Sequence, residues 1–415
     1  MPDYFDDLET RDPRQREADL FAQLPAQIAR AMQAEGWARH LAGVEPDAVT
    51  DRAALARLPL LRKSDLVAMQ KENPPFAGFN VVAPGKARRL FMSPGPIFEP
   101  ETGGADFGGA ARALFAAGFR AGQIVHNSFS YHLTPGAYML ESGAHALGCA
   151  VIPGGVGNTD SQLEAIAHFK PSGYIGTADF VKILLDTAEK SGRDASSLKR
   201  ALVSGAALPS SLREELRGRG VNVLQCYAIA ETGVVAYESV EGLASHDAGM
   251  ILNENLIVEV VRPGTGDPVA EGEVGEVVVT TFNPDYPMVR VATGDLSAFV
   301  GGVSHCGRTN QRIKGWLGRA DQTAKVKGMF VRPEQLAEIG RRHPELRRLR
   351  LVIEREGEQD WMTLRAECTA PSTALADAVA ATLQAVTKVR GAIDFVQPGA
   401  LPNDGKVIAD ERPIG

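Results

Sequence analysis

Apolar runs of strand length alternate with amphipathic runs of helix length along the first half of this chain, and that alternation restricts the possible folds more than any other feature. The strand-like runs include "QIVHNSF", "CAVIPGG", "RALVSGAALP" and "VNVLQCY". The helix-like runs between them include "PGAYMLESGAHALG", "SQLEAIAHF", "ADFVKILLDTAEKSG" and "SSLREELRGRG". Strands separated by helices predict an α/β fold with a mostly parallel sheet.

The pattern changes near residue 250. There "NLIVEVVRPGTGDPVAEGEVGEVVVTTF" indicates two strands with period-two alternation joined by turn residues, hence an antiparallel piece. Beyond "GRADQTAKVKG" the patterns predict a helix from Pro333, strands in "LRRLRLVIE" and "DWMTLRAEC", a helix in "TALADAVAATLQAVTKV" and a strand in "AIDFV". We therefore predict a large N-terminal domain over residues 1–320, with parallel sheet layers and an antiparallel subdomain. A small α+β domain of about 95 residues would follow over residues 321–415.

Composition excludes several classes of protein. Apolar residues make up 44% of the sequence and charged residues 23%, and no stretch reaches the roughly 18 apolar residues of a membrane span. The acidic, polar start lacks the features of a secretory signal, so we expect a cytoplasmic protein. A net charge of -7 argues against a nucleic-acid partner, and the sequence leaves a homodimer open. The cysteines are scattered without a C-x-x-C pair, which favours reduced thiols: Cys149, Cys226, Cys306 and Cys368.

Ligands of an open α/β sheet gather beyond the carboxyl ends of its strands, and two short blocks, "VSGAALP" and "YAIAETG", stand at such ends. A third block, "VATGDL", follows the antiparallel piece, and with "GRADQTAKVKG" and "LPNDGK" these make five blocks in a fixed order. With these blocks the chain resembles the adenylate-forming superfamily from about Leu55 to Lys406. It is most similar to the phenylacetate-CoA ligase branch, through "LPLLRKSDL", "VIPGGVGNTDSQ", "GEVGEVVVTTFNPDYPMVRVATGDL" and "CGRTNQRIKGWLGRAD".

The resemblance implies a two-step reaction. ATP would activate a small carboxylic acid, aryl or related, to an acyl-adenylate, and coenzyme A would then take the acyl group as a thioester. The first step brings two anions together, so the site must supply cations, donors and alignment. The resemblance accordingly implies ATP, Mg²⁺ and coenzyme A as cofactors.

The same resemblance assigns the catalytic roles. Lys406 of "LPNDGK" would bridge the acyl carboxylate and the ribose or phosphate, which makes it the main catalytic residue. Glu231 of "YAIAETG" would hold Mg²⁺ through a hard oxygen ligand. Asp321 would be the hinge about which the small mobile domain turns, bringing Gly328 toward the coenzyme A tunnel. Each of these residues, taken alone, equally fits a surface or loop position.

Nucleotide-binding roles follow in the same way. Tyr227 would stack on adenine, and Asp295 of "TGD" would accept both ribose hydroxyls. Arg319 would reach the same ribose or the phosphate. The remaining nucleotide-binding candidates are Thr232 beside Glu231, Gly205 and Ala206 with small side chains that let backbone lie flat against the ligand, and Ser93 and Gly95.

The acyl pocket is predicted from "FSYHLTPGA", which resembles the segment bordering the aryl group in this branch. Phe129, Tyr131 and His132 are the candidates, since aromatic walls suit a flat ring. His132 and Thr134 replace what are usually glycine and an aromatic residue. This leaves open an acid smaller, more polar or differently shaped than phenylacetate, and His132 also fits a structural histidine.

Residues 90–100, "LFMSPGPIFEP", which we call the phosphate segment, depart from the family pattern. That pattern is a run of Ser, Thr and Gly ending in Lys, whose amides and hydroxyls wrap the β- and γ-phosphates. This chain keeps only Ser93 and Gly95, while Pro94 and Pro96 each remove an amide donor. Ala230 also replaces a hydroxyl residue before Glu231. The favoured hypothesis is a ligase with an altered phosphate loop, and the alternative is a non-catalytic adenylate- or acyl-CoA-binding protein of the same fold.

The sequence also bears on a structural zinc site. Some branch members carry Cys and His in the equivalents of "ESVEGLASHDAGM" and "VSHCGRT". Ser239 stands where a cysteine is expected, which leaves His246, His305 and Cys306. We expect no zinc and a buried Cys306 thiol.

Overall fold

The computed structural model describes residues 4–206, 208–244, 249–320, 322, 324–326, 329–356 and 359–412. By internal contacts the chain divides into two units. Unit 1 is Met1–Val258, Val279–Thr293 and Val300–Gly315, and unit 2 is Glu259–Val278, Gly294–Phe299 and Trp316–Gly415. This division differs from a single border between residues 320 and 321, because unit 2 also takes two segments from earlier in the chain. The predicted domain border itself stays a prediction.

The helices occur mainly before residue 220 and after residue 332. In chain order they are α1 (Pro13–Ala31), α2 (Glu35–His40), α3 (Arg52–Ala56), α4 (Lys63–Glu72), α5 (Ala111–Ala116), α6 (Gly136–Ala146), α7 (Thr159–Phe169), α8 (Ala178–Ser191), α9 (Ser210–Gly218), α10 (Val240–Ala244), α11 (Pro333–Arg342) and α12 (Thr373–Thr387).

The strands begin at residue 61 and continue to the end of the described chain. They are β1 (Leu61–Arg62), β2 (Leu90–Ser93), β3 (Ile97–Pro100), β4 (Ile124–Asn127), β5 (Ala150–Pro153), β6 (Gly173–Gly176), β7 (Arg200–Val203), β8 (Asn222–Ile229), β9 (Gly233–Tyr237), β10 (Met250–Leu252), β11 (Leu256–Val261), β12 (Gly275–Thr281), β13 (Val291–Ser297), β14 (Phe299–Val300), β15 (Arg312–Ile313), β16 (Gly318–Arg319), β17 (Ala324–Val326), β18 (Met329–Val331), β19 (Leu346–Glu356), β20 (Gln359–Cys368), β21 (Ala392–Val396) and β22 (Ile408–Asp410).

The main sheet of unit 1 confirms the predicted parallel architecture. Its strand order includes β10-β9-β8-β7-β6-β4-β5, and β5, β4, β6, β7 and β8 run parallel. Strand β9 turns back antiparallel to β8, and β10 is antiparallel to β9. The loops that follow the parallel strands therefore meet at one edge of this sheet.

Neighbouring residues of the central strands enter different apolar clusters. Ile175 and Leu202 pack in the cluster that contains Leu114 and Leu140, whereas Tyr174 and Val203 pack in the cluster that contains Leu163, Leu184 and Leu216. Successive side chains of a strand point to opposite faces. Both faces of the parallel sheet are therefore covered, as its nearly continuous apolar strands require.

Strand β6 was not predicted, because "GYIG" has glycine at both ends and glycine normally weakens a strand. Packing explains its glycines. A Cβ on Gly173 would lie 2.3 Å from Phe119 Cε1, and one on Gly176 would lie 2.2 Å from the Tyr174 hydroxyl oxygen. Close approach of side chains therefore requires glycine at both positions.

Unit 2 contains the predicted C-terminal elements in the predicted order. Strands β21, β20, β19 and β22 form one sheet in that order, and the buried core includes Leu336 and Ile339 of α11 and Val379 and Leu383 of α12. The prediction that buried and exposed side chains alternate along β11 and β12 is wrong. Every residue of both strands is buried, because both of their faces are covered.

In the described part of the chain, no helix is long and apolar enough to cross a membrane.

Candidate active site

The phosphate segment forms a β-hairpin. Strand β2 pairs antiparallel with β3, and Ser93 lies opposite Ile97 across a turn made of Pro94, Gly95 and Pro96. The buried Ser93 hydroxyl donates a hydrogen bond to Glu99 Oε1 at 2.6 Å. The one hydroxyl predicted to face phosphate is therefore bonded to a carboxylate of the same hairpin.

Glu231 lies in the tight turn between β8 and β9. A Cβ on the next strand residue, Gly233, would lie 2.4 Å from the Gly108 carbonyl oxygen, so this turn packs directly on backbone. The Glu231 carboxylate is buried, and its Oε2 accepts a hydrogen bond from Lys63 Nζ at 3.0 Å. Its Oε1 and the Thr232 hydroxyl have no hydrogen-bond partner among the described residues. One oxygen of the predicted magnesium ligand is thus available.

A second buried carboxylate, Glu99, lies near Glu231. Burial, and then the negative charge of Glu231, raise the pKa of Glu99 to about 8, although Ser93 and Lys63 oppose the shift. Burial and the same two carboxylates raise the pKa of Tyr286 well above its ordinary value. At neutral pH and without a cation, Glu99 therefore holds a proton for much of the time.

Both carboxylates line one cavity of about 1030 Å³ inside unit 1. The cavity wall is mixed in character: Phe91, Phe107, Met139 and Phe282 supply apolar surface, and Arg11, Asp19, Asp106, Thr232 and Tyr286 supply polar groups. The volume and the few converging polar groups are typical of a small-molecule site.

Two predicted ligand-binding stretches lie at the carboxyl edge of the parallel sheet, Gly205 and Ala206 after β7 and Tyr227 near the end of β8. Gly205, which follows β7, has φ +73, and a Cβ on it would lie 3.7 Å from Phe129 Cε1. Ala206 is exposed beside it. Tyr227 of β8 is buried, and its hydroxyl donates to Thr293 Oγ1 at 3.3 Å. The structure therefore brings Gly205 next to the predicted acyl-pocket residue Phe129.

The other two acyl-pocket candidates differ in their surroundings. The Tyr131 hydroxyl donates to the Glu141 carboxylate and accepts from Asn127 Nδ2 at 2.9 Å. Burial and Glu141 raise the pKa of Tyr131 well above its ordinary value, so the ring is held with a neutral hydroxyl. The His132 side chain is exposed, and its backbone is held on both sides: the N–H donates to Ser130 Oγ at 3.2 Å, and the carbonyl accepts from the Thr134 N–H at 2.8 Å.

Unit 2 brings together the predicted ribose contacts. Asp295 of β13 lies opposite Arg319 of β16, whose Nη1 donates to Asp295 Oδ1 at 2.9 Å. The indole N–H of Trp316 donates to the same oxygen at 3.1 Å. Gly294 has φ +75, and a Cβ there would lie 2.6 Å from Arg319 Nη2, so "TGD" needs its glycine for this pair.

Lys406 is exposed on a turn that is fixed to the same unit. Asn403 of this turn accepts a hydrogen bond from the Val274 N–H at 3.0 Å, and Gln322 Nε2 donates to the Gly405 carbonyl at 2.9 Å. A Cβ on Gly405 would lie 2.6 Å from Val274 Cγ1 and 3.1 Å from Leu296 Cδ1. The backbone next to Lys406 therefore packs on the strand that carries Asp295.

Comparison with known proteins places these features in a family. Residues 117–283 match the AMP-binding enzyme family model. The phenylacetate-coenzyme A ligase of Thermus thermophilus is 31% identical over 342 residues, which cover 80% of this chain and 76% of that protein. The chain belongs to the phenylacetate-coenzyme A ligase family. The enzyme of that name from Pseudomonas putida is 32% identical over 344 residues, covering 79% of this chain and 76% of that protein.

A solved structure gives the same fold. The crystal structure of 2-hydroxyisobutyryl-CoA ligase in complex with 2-HIB-AMP and CoA is 23% identical and covers 99% of this chain and 93% of that one, with a TM-score of 0.71. The predicted family and fold class are thus confirmed. The roles assigned to individual residues stay predictions.

Three side chains near the predicted site residues were missed by sequence reasoning: Lys63, Glu99 and Trp316. Lys63 lies in "LPLLRKSDL", which had served only as evidence of the family. Glu99 could have been noticed from the sequence, since it stands inside the apolar run "IFEP". A glutamate is rarely fully buried unless its carboxylate is paired. Trp316 carried none, because its bond to Asp295 depends on pairing between separate strands.

Some predicted residues lie outside the described residues: Asp321, Gly328 and His246. Of the residues named for a zinc site, Cys306 is buried with a free thiol, as expected, and its Sγ lies 3.0 Å from Ser304 Oγ. The Ser239 hydroxyl accepts a hydrogen bond from the Gly242 N–H at 3.0 Å.

Proposed function

We propose that this protein is an ATP-dependent carboxylate–CoA ligase, which activates an aryl or related small acid as its acyl-adenylate and then forms the CoA thioester. The observation that carries this proposal is the match to phenylacetate-coenzyme A ligases over about four fifths of the chain, 80% in the T. thermophilus case. Two of the five blocks, "VSGAALP" and "YAIAETG", lie within residues 117–283, which match the AMP-binding enzyme family model.

Mg²⁺ fits the buried turn that holds Glu231. A hard cation prefers carboxylate oxygen, and Glu231 Oε1 is buried without a partner among the described residues. Bound there with ATP, magnesium supplies positive charge to the phosphates. Lys63 keeps the other oxygen of Glu231 in place at 3.0 Å, so the carboxylate is oriented before any cation arrives.

In this proposal Asp295, Arg319 and Lys406 act on the nucleotide and the acid. Asp295 Oδ1 is already aligned by Arg319 and Trp316, which leaves its carboxylate set to accept ribose hydroxyls. Lys406 would stabilise negative charge as carboxylate and α-phosphate come together. Asp321 as the hinge and Gly328 at the coenzyme A side belong to the proposal on the resemblance alone.

The acid would bind near Phe129 and Tyr131. Phe129 lies against Gly205, so an aryl ring beside Phe129 would also meet the backbone after β7. Tyr131 offers a ring whose edge meets Tyr138 at a centroid distance of 5.1 Å. Such rings favour a flat acid through edge and face contacts.

The hairpin of the phosphate segment favours a second candidate function, that of a non-catalytic protein that holds an adenylate or acyl-CoA. Ser93 is bonded to Glu99, and the Pro94-Gly95-Pro96 turn offers only one backbone N–H, that of Gly95. A hairpin with so few donors is a poor cradle for β- and γ-phosphates.

Release of pyrophosphate from Mg-ATP separates the two candidates. We expect release that depends on an added acid, measured with a panel of aryl and short aliphatic acids, with and without coenzyme A. Acid-dependent release together with thioester formation is the result expected of the ligase. No release with any acid, while AMP still raises the melting temperature, is the result expected of the binding protein.

Nucleotide preference gives a prediction about the hairpin itself. Without divalent cations, ATP and AMP should raise the melting temperature by similar amounts, because few donors meet the β- and γ-phosphates. Thermal-shift titrations with both nucleotides in EDTA measure this. An ATP affinity tenfold above that of AMP, about 1.4 kcal/mol, would contradict it.

A further inference from the structure

Two buried carboxylates face one cavity beside the phosphate segment. Glu99 lies on β3 and Glu231 in the β8–β9 turn, and both line the cavity of about 1030 Å³ in unit 1. Glu99 Oε2 and Glu231 Oε1 have no hydrogen-bond partner in the part of the chain that the structure describes. A buried carboxylate oxygen without a partner is costly unless a donor or a cation meets it.

When both carboxylates are ionised, the charged groups nearby do not balance them. Lys63 Nζ donates to Glu231 Oε2 at 3.0 Å, and Glu99 Oε1 accepts a bond from the neutral Ser93 hydroxyl at 2.6 Å. Among the ion pairs of the described residues, none includes Glu99. One ammonium group thus serves two buried carboxylates, and the phosphate segment itself contains no lysine.

A third buried oxygen points to a ligand independently of the acidic pair. The hydroxyl of Tyr286 lines the same cavity and has no hydrogen-bond partner among the described residues. Gln70 lies near that hydroxyl, and the hydrogen bonds of its amide oxygen and nitrogen go to the backbone of Phe98, each at 2.8 Å. An unsatisfied buried hydroxyl beside two carboxylates suits a site that receives an ion and its water.

We propose that Glu99 and Glu231 together form a divalent-cation site, so that a cation held by both supplies the positive charge that the phosphate segment lacks. No group of three or more His, Cys, Asp and Glu residues that could hold a metal occurs among the described residues. Magnesium nevertheless often uses one or two carboxylates and completes its shell with water and phosphate oxygens. The inference deepens the proposed function and rests on it for the nucleotide that the cation would serve.

Binding of Mn²⁺ to the full chain tests the site, measured from the electron paramagnetic resonance signal of free Mn²⁺ without nucleotide, acid or coenzyme A. We expect one Mn²⁺ to bind to the wild type. Glu99→Gln and Glu231→Gln should each weaken binding by about tenfold or more, since each removes one anionic ligand. Because no turnover is needed, absence of the proposed ligase activity would leave this result unaffected.

The matched control is Glu101→Gln. Glu101 is a buried carboxylate that directly follows the phosphate segment, two positions after Glu99, but it pairs with Arg89 at 2.6 Å and does not line the cavity. Its replacement should leave Mn²⁺ binding unchanged. Circular dichroism confirms that each variant is folded.

The proposal is overturned if Glu99→Gln binds Mn²⁺ as tightly as the wild type, or if the wild type binds none at millimolar Mn²⁺. Should Glu99→Gln fail to fold, Glu99→Asp replaces it, since it keeps the charge but withdraws the carboxylate by one methylene. Several-fold weaker binding by Glu99→Asp supports the site, and unchanged binding overturns it.

Discussion

Lys406→Ala is expected to lower the rate of acyl-adenylate formation by about 100- to 1,000-fold, the usual effect of removing a group that stabilises transition-state charge. Carboxylate and α-phosphate are both anionic, and no second lysine lies in the turn "LPNDGK". Single-turnover release of pyrophosphate, with the acid identified in the panel, measures this step. Binding of AMP should change little, because Asp295 and Arg319 remain in place.

Lys388→Asn is the matched control for that variant. Lys388 is an exposed lysine of the same unit, with φ 63 at the end of α12, and asparagine tolerates this left-handed backbone better than alanine does. It should release pyrophosphate at the wild-type rate. A Lys406→Ala enzyme that is equally fast would remove Lys406 from the first step, whatever the fate of the family assignment.

The second step offers a separate check on the same variant. If the small domain moves Lys406 away before thioester formation, Lys406→Ala should convert a supplied acyl-adenylate to the CoA thioester at close to the wild-type rate. A loss in both steps would instead indicate a general defect in the domain.

Local periodicity was sufficient to predict most of the architecture. Strands β4, β5, β7 and β8, and the order from α11 to β21, follow the apolar patterns of the sequence. The elements that escaped prediction are determined by contacts distant in sequence. Strand β6 depends on Phe119 filling the space beside Gly173, and the burial of β11 depends on what covers both of its faces.

In the candidate site, too, residues within local sequence blocks could be predicted, whereas their partners from distant parts of the chain could not. The positions of Glu231 and Asp295 follow from blocks that sequence alone can identify. The partners of those carboxylates are not local: Lys63 reaches Glu231 from 168 positions away, and Trp316 reaches Asp295 from another strand. The hairpin of the phosphate segment was not predicted, although its two prolines and one glycine are residues that favour a turn.

The N-terminal segment is acidic and polar in sequence, and in the structure it supplies a buried charge to unit 1. Glu9 is fully buried, and its Oε1 accepts hydrogen bonds from Arg308 Nε at 2.8 Å and from the Tyr237 hydroxyl at 2.7 Å. Its Oε2 accepts from the Phe5 N–H at 2.7 Å. Burial disfavours the charge on Arg308, but Glu9 raises the pKa of Arg308 above its ordinary value.

Glu9→Ala should therefore lower the free energy of unfolding by about 3 kcal/mol, the lower end of the cost of breaking a buried ion pair. Arg308 then keeps Glu241, whose Oε2 lies 3.3 Å from Arg308 Nη1 and whose side chain is half exposed. Denaturant titration followed by circular dichroism measures the change. Glu35→Ala serves as the control, because the Glu35–Arg39 pair is exposed and such pairs contribute little. If Glu9→Ala proves no more destabilising than Glu35→Ala, then Glu241 suffices to compensate Arg308, and the buried Glu9 carboxylate does not stabilise unit 1.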